Sequence, residues 1–115
     1  MSNRLHLAKK HIVEYANAEF FKDYEIDALT TILDEMEVSK YVQYENDTIV
    51  GLLIEKDELK KAVKKLKSGK FDKAFRVYLE DEVDRLGGRK AVEDFFDYVI
   101  KNGGSNDDYY HLDVW

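Results

Sequence analysis

The sequence has no cysteine and no proline in 115 residues, a single tryptophan, two methionines, and four arginines against fourteen lysines. Without cysteine there are no disulfides, no thiolate metal ligands and no thiol nucleophile, which fits a reducing compartment. Without proline, repeats or low-complexity tracts, nothing marks an interdomain linker, and Gly103-Gly104-Ser105 is the one candidate joint. Long apolar runs are also missing. No segment approaches the roughly eighteen apolar residues of a membrane span, and Met1-Ser2-Asn3-Arg4 does not lead into the apolar core of a signal peptide. The expectation is a soluble, cytoplasmic chain forming one domain over residues 1–115, with 105–115 as a C-terminal arm.

Motifs that would carry chemistry are scarce. His6 and His11 are five apart and do not share a helix face, and His11 with Glu14 lacks the second histidine of a zinc-protease pair. There is no glycine-rich phosphate loop ending in Lys-Ser or Lys-Thr, no nucleophile elbow, and no carboxylate series of a calcium loop around Gly51. The sequence therefore predicts no catalytic residues, no cofactor and no metal, hence no enzyme.

What is present is charge in blocks. Residues 1–55 carry 5 Lys/Arg against 11 Asp/Glu, residues 56–73 carry 8 against 3, and residues 74–115 carry 5 against 10, for a net charge of −6. An acidic molecule repels nucleic acid at long range and attracts basic partners. Hydrophobic residues still make up 44% of the chain, enough for a packed core.

Hydrophobic periodicity organises these blocks. Leu5, Ala8, Ile12, Tyr15 and Ala16 recur at helical spacing from Asn3 to Phe21, with Ser2 as N-cap. A second helix, opened by Asp23, has the stripe Ile26, Leu29, Ile32, Leu33 and Met36 and an acidic outer face. The stretch "KYVQYENDTIVGLLIEK" reads as a hairpin over about 40–54 turning at Glu45-Asn46-Asp47. Its second strand is apolar enough to be covered on both faces, and Gly51 marks a bulge or close contact. Asp57 then caps a helix with Leu59, Ala62, Val63 and Leu66 inward, ending at Ser68-Gly69. Asp72 opens a fourth helix with Phe75, Tyr78, Leu79, Val83 and Leu86 inward, stopped by Gly87-Gly88. Arg89 to Lys101 forms a fifth, burying Val92, Phe95, Phe96 and Val99 and ending at Asn102-Gly103-Gly104. The expected class is α+β, mostly helical: about five helices, one β-hairpin, and a C-terminal extended segment able to add a third strand.

That segment, "NDDYYHLDVW", sets Tyr110, Leu112 and Val114 on one face of a strand and Tyr109, His111, Asp113 and Trp115 on the other. Large aromatics beside carboxylates suit a contact with a basic protein, so Asp107, Asp108, Tyr109, Tyr110, Asp113 and Trp115 are candidate partner-binding residues. Asp34, Glu35 and Glu37 join them from the acidic second helix. Lys60, Lys61, Lys64, Lys65 and Lys67 are candidate phosphate contacts. A complete apolar stripe on their helix favours a solvated face instead, and no arginine stands among them.

These features predict a small, acidic, non-enzymatic protein-binding module whose partner has a basic surface. One form is an inhibitor of a basic nucleic-acid-binding enzyme, of phage- or plasmid-encoded anti-defence type, acting by nucleic-acid mimicry. An immunity- or antitoxin-like protein, or a self-associating adaptor forming homo-oligomers, is the alternative. Direct nucleic-acid binding is disfavoured: a winged helix-turn-helix wants a basic recognition helix before its hairpin, and here that helix is acidic. No membrane partner is expected.

Overall fold

A computed structural model describes residues 4–8, 15–22, 25–103 and 107–114. Five antiparallel strands, β1 (Arg4–Ala8), β2 (Tyr15–Lys22), β3 (Lys40–Glu45), β4 (Thr48–Glu55) and β5 (Tyr109–Val114), form one sheet in the order β2-β1-β5-β4-β3. The helices are α1 (Ile26–Glu35), α2 (Lys56–Lys67), a π-helical turn (Ala74–Tyr78), α3 (Glu80–Arg85) and α4 (Arg89–Asn102). The fold is α+β, with more residues in helix than in strand. Leu52 and Ile54 of β4 and Tyr110 and Leu112 of β5 point to one side of the sheet and join the apolar stripes of α1, α2 and α4 in a single buried cluster. Among the described residues, no helix is long and apolar enough to cross a membrane.

Local chemistry explains the elements from α1 onward. Every residue of the expected stripes on α1, α2 and α4 is buried. The hairpin turns on Asn46 and Asp47, both with positive φ (50° and 65°), the backbone of a two-residue type I′ loop. Gln43 pairs with Gly51 and Tyr44 with Ile49, so Val50 is the extra residue of a bulge beside Gly51. On α2 the cap is Glu55, not Asp57: the Glu58 N–H donates to its carboxylate, and the Glu58 carboxylate in turn accepts the Ser39 N–H at 2.6 Å. Bonding to Ser39 holds the Glu58 carboxyl below the usual glutamate range.

The first 22 residues depart from the sequence expectation. The described parts of that stretch are strands, not a helix. Leu5 and Ala8 fit helical spacing, but Leu5 and Leu7 fit alternation equally well, and β1 registers Leu7 against Leu112 and Leu5 against Val114. Pairing with β5 outweighs the helical pattern, because propensity is a weak prior that tertiary context overrides. Ser2, Ile12 and Asp23, the expected caps and stripe residue, lie outside the described residues.

Three smaller differences follow from backbone geometry. The expected helix over 72–86 is interrupted: Leu79 N–H donates to Ala74 O at 2.9 Å, an i to i+5 bond, and this extra residue slips the register. Tyr78, expected inward, is consequently 66% exposed. Gly103 is not a left-handed cap (φ −71°) but leaves space for a ring; a Cβ there would stand 2.8 Å from Tyr110 Cε1. The outer face of β4 is only half-covered, with Leu53 and Val50 partly exposed.

Tyr110 closes the core between β5, the end of α4 and the start of α2. It is 1% exposed, Lys56 Nζ lies 5.6 Å from its ring centroid, and its hydroxyl has no hydrogen-bond partner. Burial pushes its phenol above the ordinary value. Tyr110→Phe is expected to keep or raise stability, by up to about 1 kcal/mol, because a buried unbonded hydroxyl is removed. Tyr110→Ala should cost about 3–5 kcal/mol through the cavity it leaves. Denaturant unfolding of both variants checks this, and a marked loss from Tyr110→Phe would mean the hydroxyl is bonded.

For Glu58 the folded-state value is depressed, so its contribution is present above the unfolded glutamate value and disappears as pH falls through the folded one. Glu58→Gln should therefore lower Tm at neutral pH, and the gap to wild type should close on acidification below the usual glutamate range. A gap of constant size would count against the Ser39 bond.

Candidate aromatic–acidic surface

The pleat of β5 divides the tail residues. Tyr110 and Leu112 turn to the helices, while Tyr109, His111 and Asp113 lie on the face that no described helix covers. Beside them on that face are Tyr41 and Gln43 of β3 and Leu53 of β4, since Tyr41 pairs with Leu53 and Leu53 with His111. The Tyr41 and Tyr109 rings meet edge to face, centroids 5.7 Å apart at 68°. The Tyr109 phenol is pushed above its ordinary value, first by its hydrogen bond to Tyr41, then by the charge a second phenolate would place beside it, by burial, and by the carboxylates of Glu55 and Asp108.

The approach to β5 is fixed by one carboxylate. Asp107 accepts the Tyr109 N–H at 2.9 Å, and its two oxygens lie 3.0 and 2.7 Å from His111 Nε2. A further bond, Lys56 N–H to Asp108 O at 2.9 Å, ties the same turn to the start of α2. Asp108 thereby keeps its side chain exposed at a rigid position.

Tyr41 also borders a second feature. With Asp34, Glu37, Val38, Ser39 and Lys40 it lines an open groove of about 420 Å³ between the end of α1 and β3. Asp34 pairs with Lys40 there, and Glu37 is held in left-handed backbone at φ 59°. This conformation belongs to the helix stop: Val38 N–H donates to Leu33 O and Glu37 N–H to Asp34 O, both at 3.0 Å, a Schellman closure. The same closure ends α2 at Gly69 (φ 94°) and α3 at Gly87 (φ 97°). Only at α1 is the left-handed residue of that closure not glycine, which costs strain and keeps a carboxylate at the groove.

The candidate residues thus separate. Asp34 and Glu37 share the groove lining with Tyr41, Tyr109 meets the Tyr41 ring, and Asp108 acts on the Tyr109 phenol. Glu35 is exposed on α1 outside the groove lining, and Asp113 lies further along β5 on the open face. Asp107 is committed to His111 and the Tyr109 amide. Tyr110 is corrected from contact residue to core, and Trp115 lies outside the described residues. Tyr41 and Glu55 were not singled out from sequence; the alternation in "KYVQYE", which sets Tyr41 opposite Val42, is the signal that identifies the first.

No family model, curated protein or solved structure matches this chain. The site therefore rests on its own geometry. Lys60, Lys61, Lys64, Lys65 and Lys67 all project from α2 into solvent. Acids occupy the first turn of α2 and lysines the last, which complements the helix dipole, and Lys67 bonds both oxygens of Asp97 at 2.8 and 2.9 Å. On α4, Glu93 faces Arg89 and Asp94 faces Lys90 at 3.6 and 3.4 Å, so the acids of that helix are partly neutralised within the fold.

Replacing Glu37 with glycine should stabilise the fold by about 1 kcal/mol, by relieving the left-handed strain. Thermal unfolding of Glu37→Gly reads this directly. A destabilised variant would show that the glutamate side chain supports the fold instead.

Proposed function

We propose that the chain is a protein-binding module that receives a basic partner surface on the patch centred on Tyr41. The placement of Tyr41 carries this reading: edge-on to Tyr109 and lining the groove with Asp34 and Glu37, it joins two acidic segments that are far apart in sequence. A fixed aromatic pair flanked by carboxylates offers a lysine or arginine both an ion pair and a ring, at little ordering cost. Tyr41 and Tyr44 are 56% and 63% exposed, so strand β3 presents apolar area to a partner.

A basic surface of this kind is what a nucleic-acid-binding enzyme presents, and occupying it would block the enzyme. An inhibitor and an immunity-type protein make the same demand on the patch. The lysine helix is less suited to nucleic acid, given the acidity of the whole chain and the pairing of Lys67 with Asp97.

Against a basic partner protein, Tyr41→Ala should weaken binding by roughly 30-fold, the loss typical of a truncated hot-spot aromatic. Charge reversal by Asp34→Lys with Glu37→Lys should slow association and flatten its salt dependence. Binding kinetics at two salt concentrations test both; affinity untouched by either change would remove this patch as the interface.

A further inference from the structure

The sheet ends at β3, and its outer edge carries no partner strand among the described residues. Which groups point outward follows from one hydrogen bond. Glu55 N–H donates to Ser39 O at 3.0 Å, so Ser39 and Glu55 form a bonded pair. Bonded and non-bonded pairs alternate along an antiparallel ladder. Tyr41 and Gln43 therefore turn their backbone groups in towards β4, and Lys40, Val42 and Tyr44 turn theirs out.

Natural edges are protected by proline, a bulge on the edge strand, or a lysine standing over the edge. Here proline is absent, and the bulge residue, Val50, lies on β4. The one lysine, Lys40, is drawn to Asp34, with its side chain only 19% exposed. Among the described residues the edge is therefore open along a six-residue strand.

Resting on the partner reading above, we propose that β3 is a strand-addition site: an extended basic segment of the partner docks along it as a sixth strand. Side chains on the helix side of such a strand come down beside Asp34 and Glu37, and those on the other side beside Tyr41. Lysine or arginine at alternate positions satisfies the groove, while the backbone bonds to Lys40, Val42 and Tyr44 supply affinity that does not depend on sequence. A second copy of this chain fits less well, because each copy carries −6 and brings the same carboxylates to the edge. Antiparallel self-pairing of these outward groups also matches even-numbered residues only with even-numbered ones, so Lys40 cannot stand opposite Glu45 of the copy.

The test uses the full chain and a ten-residue peptide alternating lysine with threonine, beside the same peptide N-methylated at alternate residues, which keeps the charge but loses one edge of donors. Peptide binding should slow amide exchange at Lys40, Val42 and Tyr44 by about tenfold or more at saturation. The methylated peptide should bind at least about tenfold more weakly. Tyr44→Pro, which removes one outward N–H, should lose affinity that Tyr44→Thr keeps. Equal binding of the two peptides, with no slowing at the three amides, would overturn strand addition while leaving the Tyr41 patch as the partner site. Binding undiminished by Glu37→Lys, or self-association through the edge in place of peptide binding, would overturn the basic-partner reading and this inference with it.

Discussion

The insertion of β5 between β1 and β4 is the constraint on which the rest of the molecule depends. It is the last element in the chain, yet it occupies the middle of the sheet, pairing Leu112 with Leu7 on one side and with Leu52 on the other. Without it the sheet would fall into two separate two-stranded ribbons, each marginal in water. Its Tyr110 then locks the sheet to the helices by filling the space left at Gly103, and this close packing is maintained although the hydroxyl goes unbonded. The gain from burying the ring exceeds the cost of the one polar atom.

That same strand creates the candidate surface. Because side chains alternate along a strand, placing Tyr110 and Leu112 in the core necessarily places Tyr109 and His111 on the open face. The register with β4 and β3 then brings Tyr109 to Tyr41, and the turn at 107–108, held by Asp107 and Lys56, sets the position of Asp108. From the other side, the Schellman closure of α1 delivers Glu37 to the same place in a conformation that glycine would adopt with less strain. A position that gives up stability and gains a carboxylate at a groove is the pattern expected where function competes with folding.

The sequence spoke most clearly where one pattern fitted one structure. The stripes of α1, α2 and α4 leave no alternative period, the turn residues at 46–47 suit a hairpin, and the faces of 109–113 were separable by alternation alone. The N-terminal strands were not legible, because their apolar spacing fits both periods and only pairing with β5, a tertiary event, decides between them. The break at Leu79 was equally hidden, since a π-helical turn changes register without a glycine or proline to announce it. At the site, the separate ingredients at 34–37 and 107–109 could be named, but Tyr41, the residue that joins them, becomes visible only through strand order.

Native-state amide exchange of the Tyr110 and Leu112 backbone groups tests this account most directly. If β5 is the centre of the fold, these amides exchange only through global unfolding, with the same free energy as the slowest amides of α4. Exchange of β5 well before α4, with the helices still protected, would show that the strand is an appendage and that the surface built on it is not a fixed part of the molecule.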